Sequence, residues 1–219
     1  MNSPELILSS KYRKDIVELV IKRLSFECNS VPKILVITYA DDKKEIEEVY
    51  HISNYDSNRT SMILDQISDD FSAAFTSNVE IISTWDVLPN KECILDCDLI
   101  IILGGHAPTC IKKLYETELV NPMRKFKGLV WGISAGAKVL CDKFVAMTND
   151  GKVSEYDGLG LLNNFSLLVH RDNGRQDVYN RYYSGASRIS KCIGIKNNGV
   201  VIVKDNIVSF MENSMYIDF

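Results

Sequence analysis

A chain of 219 residues, 46% hydrophobic and 25% charged, can bury a sizeable core in one domain and has no room for more than two small ones. Its net charge of -4 comes with no Lys/Arg stripe interleaved with aromatics, so nucleic acid and an anionic membrane are excluded as expected partners. The six cysteines (Cys28, Cys93, Cys97, Cys110, Cys141, Cys192) are scattered and lie mostly in or beside apolar runs, and the Cys93/Cys97 pair lacks zinc or redox spacing, so reduced thiols of a cytoplasmic protein are expected.

The first elements are short, β-branched apolar runs: "ELILSS" from Glu5, "KILVITYA" from Lys33, "VEIIST" from Val79, "DLIIILGG" from Asp98 and "GLVWGIS" from Gly128. Runs without polar alternation suit strands covered on both faces. Between them Ile16, Leu19, Val20 and Leu24 share one helical face, and so do Ile63, Ile67, Phe71 and Phe75. Alternating strand and helix predicts an α/β fold with a mainly parallel sheet between two helical layers. Further on, "KCIGIK", "GVVIVK" and "IVSFME", joined by "NNG" and "DN", predict an antiparallel meander. The polar, Tyr-rich stretch after Arg171 reads as a long functional loop. With no repeat or Pro/Gly-rich linker, residues 1–219 are expected to form one domain. The opening "MNSPELILSSKYRKD" has no basic segment ahead of a long apolar one and no run reaches membrane-spanning length, so neither export nor anchoring is expected.

Open parallel sheets carry their chemistry at the carboxyl ends of strands, and Ser134 stands at such an end. Gly132, Ser134 and Gly136 form G-x-S-x-G, in which a tight turn lifts the serine oxygen above the sheet and larger side chains would collide. The N–H of Ala135 would then face a developing oxyanion, with "AGAKVLCDKF" continuing as a helix.

A serine hydroxyl needs a base. His51 lies in a polar segment and reads as a surface residue, whereas His170 closes the apolar run "NFSLLVH", at a strand end beside the polar loop. A carboxylate should orient that histidine. Asp142 falls inside the predicted helix, pointing away; Asp150 in "MTNDG" is the first choice, with Glu155 and Asp157 in reserve. In "ILGGHAPT", Gly105 can supply the second oxyanion donor, and His106 reads equally as a substrate contact or a helix-entry residue before Pro108.

These segments together resemble the serine peptidases that include dipeptidase E, an aspartyl dipeptidase, and the cyanophycinases. The resemblance rests on "ILGGHAPT", "GISAGAKVL", "MTND" and the strand-end histidine followed by "NGRQDVYNR", from about Asp98 to Arg181. It implies a three-layer, flavodoxin-like α/β/α fold of the class I glutamine amidotransferase type, with serine where those enzymes carry cysteine. By the match, Ser134 is nucleophile, His170 general base and acid, and Asp150 the orienting carboxylate, with oxyanion donors at Gly105 and Ala135. No metal or organic cofactor is implied.

Cleavage after an N-terminal aspartate requires a cation, and Arg175 in "NGRQ" matches the arginine-bearing segment best, with Arg171 and Arg181 as alternatives. Two departures touch the substrate pocket: His106 stands where asparagine is usual, and the segment from His170 to Arg175 is shorter. The expected partner is a small peptide substrate, and a homodimer stays open. The competing readings are an esterase of the α/β-hydrolase type, whose histidine normally follows further strand-helix units, and a non-proteolytic ligand-binding or redox-sensing relative of the same fold.

Overall fold

Strands without polar alternation need cover on both faces, and the computed structural model supplies it. It describes residues 3–27, 31–41, 58–75, 79–84, 89–147, 153–170, 191–211 and 214–217. The central sheet has seven strands: β1 (Glu5–Ser9), β2 (Lys33–Ile37), β3 (Glu80–Ser83), β4 (Leu99–Ile102), β5 (Leu129–Ile133), β10 (Val200–Lys204) and β11 (Ile207–Met211). Their spatial order is β11-β10-β1-β5-β4-β2-β3. β1, β5, β4, β2 and β3 run parallel, while β10 and β11 extend the sheet antiparallel beyond β1.

Successive side chains of a strand face opposite layers. In β4, Leu99 and Ile101 join a core with Ile16, Val20 and Leu24 of helix α1 (Lys14–Glu27) and Ile67 and Phe71 of helix α2 (Asn58–Phe75). Ile100 and Ile102 face the other way, against Ile94 of α3 (Lys91–Asp96), Cys110 and Leu114 of α4 (Ala107–Glu116) and Met123 of α5 (Val120–Lys125). Both predicted helical faces are the ones buried. The result is a mostly parallel sheet between two layers, with added antiparallel strands.

Two smaller sheets complete the second layer. β6 (Lys143–Met147) and β7 (Val153–Asp157) form a hairpin, and β12 (Ser214–Ile217), β9 (Cys192–Ile195) and β8 (Ser166–Val169) form a three-stranded sheet. The predicted meander is therefore only partly right. β10 and β11 form a hairpin, but β9 pairs parallel with β8 and antiparallel with β12 instead of with β10. "NNG" turns the chain out of one sheet into another, a choice set by packing partners distant in sequence.

The helix expected from Ala135 to Phe144 stops after one turn, α6 (Ala135–Lys138). Val139, Leu140 and Cys141 are fully buried, and a surface helix cannot bury consecutive residues on all sides. Their carbonyls accept instead from Leu159, Leu161, Leu162 and Gly160 N–H. Asp142 consequently lies outside any helix, its carboxylate accepting from Lys143 N–H.

Lys138 carries an energetic cost. Its ammonium donates to the Val145 carbonyl at 2.9 Å, and burial lowers its pKa from 10.5 to about 8. The unfolded chain then holds more protons than the folded one between about pH 8 and 10.5, so this group's penalty is complete below pH 8 and fades as pH rises through that window. A Lys138→Met protein is expected to be more stable than wild type by about 1–3 kcal/mol at pH 7, with the gap closing towards pH 10.5. Urea titrations at the two pH values check this; a gap independent of pH would refute it.

Candidate active site

The turn after β5 is built by contacts that leave no freedom. Ser134 has φ 54° and ψ -112°, a conformation side chains rarely adopt. It is held there by the bond from its N–H to the Ser9 carbonyl at 2.8 Å, while the Ser9 hydroxyl accepts from the Trp131 indole at 3.0 Å. A Cβ on Gly136 would lie 2.0 Å from the Ile102 carbonyl oxygen, so only glycine lets the first turn of α6 seat against the end of β4. Close packing of turn against strand is what raises the Ser134 oxygen above the sheet.

His170 follows β8, also at positive φ (58°). Its Nε2 lies 2.7 Å from Ser134 Oγ and its Nδ1 2.9 Å from Asn197 Oδ1. An amide oxygen can only accept, so Nδ1 carries the proton and Nε2 presents its lone pair to the Ser134 hydroxyl. The backbone is fixed as well: His170 N–H donates to Ser10 Oγ at 3.1 Å, and that hydroxyl donates to the Ile195 carbonyl at 2.9 Å. Ser10 thus ties the end of β1 to both β8 and β9.

Two backbone segments flank the serine. Ala135 opens α6, so its N–H has no carbonyl within the helix to bond. Gly105, after β4, has φ 137°, and a Cβ there would meet the Ala40 carbonyl oxygen at 2.1 Å. Ser134, His170 and Gly105 line a cleft of about 490 Å³ together with Gly104, Lys11 and Tyr12. The Tyr12 ring stacks on Trp131 at 5.3 Å and its hydroxyl donates to Asp70 at 2.7 Å. Burial, and then that hydrogen bond, push its pKa well above the usual phenol range, so it serves the cleft as a neutral wall. The arrangement can remove the Ser134 proton as the oxygen attacks a carbonyl.

The structure brings Ser134, His170, Gly105 and Ala135 together as the motifs suggest. Asp150, Arg171, Arg175, Arg181 and His51 lie outside the described residues. Glu155 and Asp157 sit on β7, both paired with Lys143, Glu155 at 3.7 Å. His106 is the N-cap of α4; its Nδ1 bonds Thr109 Oγ1 at 2.8 Å and its N–H donates to the Ala40 carbonyl at 2.6 Å. Its place as N-cap fits the helix-entry alternative.

Ser9, Ser10 and Asn197 escape the motif reading. The only local signal is a pair of serines at a strand's carboxyl end, and for Asn197 a turn composition that reads equally well as punctuation.

The chain matches the model of peptidase family S51 over residues 6–211. No curated protein matches it in sequence. Among solved structures, a peptidase from an acI-B1 Actinobacterium superposes with a TM-score of 0.67 at 15% identity, covering 100% of this chain and 98% of that one. A candidate peptidase E from Listeria monocytogenes EGD-e superposes with a TM-score of 0.65 at 14% identity, covering 95% of this chain and 98% of that one. At such identities the superpositions speak for the fold.

Proposed function

From the premise that this chain belongs to peptidase family S51 and is a serine peptidase, we propose that it hydrolyses short peptides after an N-terminal aspartate. In this reading Ser134 is nucleophile, His170 base and acid, and Asn197 the residue that orients His170. The observation that carries the mechanism is the 2.7 Å contact between Ser134 Oγ and His170 Nε2 at a turn strained to expose that oxygen.

Ser134 Oγ attacks the scissile carbonyl carbon while Nε2 takes its proton. The carbonyl oxygen becomes an oxyanion facing the Gly105 and Ala135 N–H groups. The imidazolium then protonates the leaving amine as the C–N bond breaks, which leaves an acyl ester on Ser134. Water enters, gives a proton to Nε2 and attacks the ester; collapse returns that proton to Ser134 Oγ and frees the acid. Asn197 contributes orientation and tautomer without contributing charge.

Aspartyl selectivity calls for a guanidinium, and Arg175 is the first candidate, with Arg171 and Arg181 behind it. Consistent with an acidic substrate, the described lining of the cleft contains no carboxylate. The test is turnover of Asp-Xaa beside Glu-Xaa, Ala-Xaa and β-aspartyl dipeptides. Hydrolysis confined to Asp-Xaa is expected; equal hydrolysis of Ala-Xaa would remove the aspartyl selectivity and leave the serine chemistry.

A further inference from the structure

Lys11 has no place in that mechanism, and its position suggests one. It is exposed, lines the cleft with Ser134 and His170, and has no hydrogen bond or ion pair among the described residues. It is also the one permanent charge among the described lining residues. The neighbouring Arg13, by contrast, is already paired with Asp15.

The order of strands decides which end of a peptide Lys11 would meet. β5 carries Ser134 and lies between β4 and β1. Gly105 follows β4, so the oxyanion side of the cleft is the β4 flank. His170 is anchored through Ser10 at the end of β1, and the leaving nitrogen must come within reach of His170 to be protonated. A bound peptide therefore crosses the end of β5 with its scissile oxygen towards Gly105 and its leaving residue towards β1. Lys11 is the next residue after Ser10 on that flank. In a dipeptide the leaving residue carries the free α-carboxylate two carbons from the scissile nitrogen, within the span of a lysine side chain.

We propose that Lys11 is a specificity-determining residue whose ammonium receives the C-terminal α-carboxylate of the leaving residue, selecting dipeptides over longer chains. The proposal rests on the serine-peptidase reading of the cleft, and it separates from the aspartate question because it concerns the other side of the scissile bond. A compact ammonium suits it: it needs one strong contact with a terminal carboxylate and tolerates variation in the side chain beside it.

The experiment measures binding instead of turnover, with Ser134→Ala protein and two unhydrolysed ligands, Asp-Ala and Asp-Ala amide, by calorimetry. With Lys11 present the free acid is expected to bind at least about 10-fold more tightly than the amide. Adding Lys11→Met should bring the ratio to near one, and Lys11→Arg should largely restore it. Circular dichroism confirms that the exposed substitution leaves the fold intact. A ratio unchanged by Lys11→Met, equal binding of the two ligands by the Lys11 protein, or binding of neither overturns the proposal. So does a Lys11→Met protein that weakens both Asp ligands equally while sparing Ala-Ala, because the cation would then serve the aspartyl side chain. Failure of the underlying reading shows separately, as wild-type protein whose Ser134 takes no fluorophosphonate.

Discussion

A Ser134→Ala protein is expected to fold as wild type does and to lose roughly four to six orders of magnitude in kcat, because His170 is left with no nucleophile to activate. Alanine keeps the Cβ, so the strained φ of 54° is neither relieved nor worsened. Ser134 is only partly buried, and removing one hydroxyl there costs stability on the order of 1 kcal/mol, from the lost bond to His170. Thermal denaturation alongside turnover separates the two effects. Residual activity above about a hundredth of wild type, in protein of unchanged melting temperature, would remove Ser134 from the nucleophile role. A fluorophosphonate should label wild type at Ser134 and leave the variant untouched.

The second large effect concerns Asn197. Without an acceptor on Nδ1 the imidazole can rotate or take the other tautomer, placing a proton on Nε2 where a lone pair is needed. Asn197→Ala is accordingly expected to lower kcat by about 10²–10⁴. Asn197→Asp keeps an acceptor and adds a negative charge beside the ring. That charge favours the imidazolium, so the base is disabled up to a higher pH and the acid limb of the kcat/KM profile moves upward. In the transition state the same charge favours the developing imidazolium, so the plateau rate should equal or exceed wild type. Full pH–rate profiles of both variants make the check. Wild-type activity in Asn197→Ala would mean that another group orients His170.

The parts of this molecule legible in the sequence are those decided within one or two turns of chain. Ile34 to Ile37 and Leu99 to Ile102 read as covered strands because burial on two faces leaves no place for polar residues. Ser134 was legible because the elbow imposes small neighbours on either side. The one-turn length of α6 was not, since Val139 to Cys141 have helical composition and their carbonyls are claimed by residues 159–162. Nor was the contact of Asn197 with His170, since Asn197 reaches Nδ1 from 27 residues away through the turn after β9, while Asp150, the carboxylate expected from the chemical pattern, lies outside the described residues. Glu155 and Asp157 had the right chemistry, yet the hairpin register puts both beside Lys143.

The proposed nucleophile and base stand on different sheets. Ser134 belongs to the central sheet, while His170 and Asn197 follow adjacent strands of the three-stranded one and meet it through the hydroxyl of Ser10. In the proposed mechanism the base and its orienting group therefore form a cassette, able to be retuned by substitution without disturbing the elbow. The same division gives inactivation its own route. Slippage along the seam between the two sheets would silence the enzyme with every strand of the main sheet still paired.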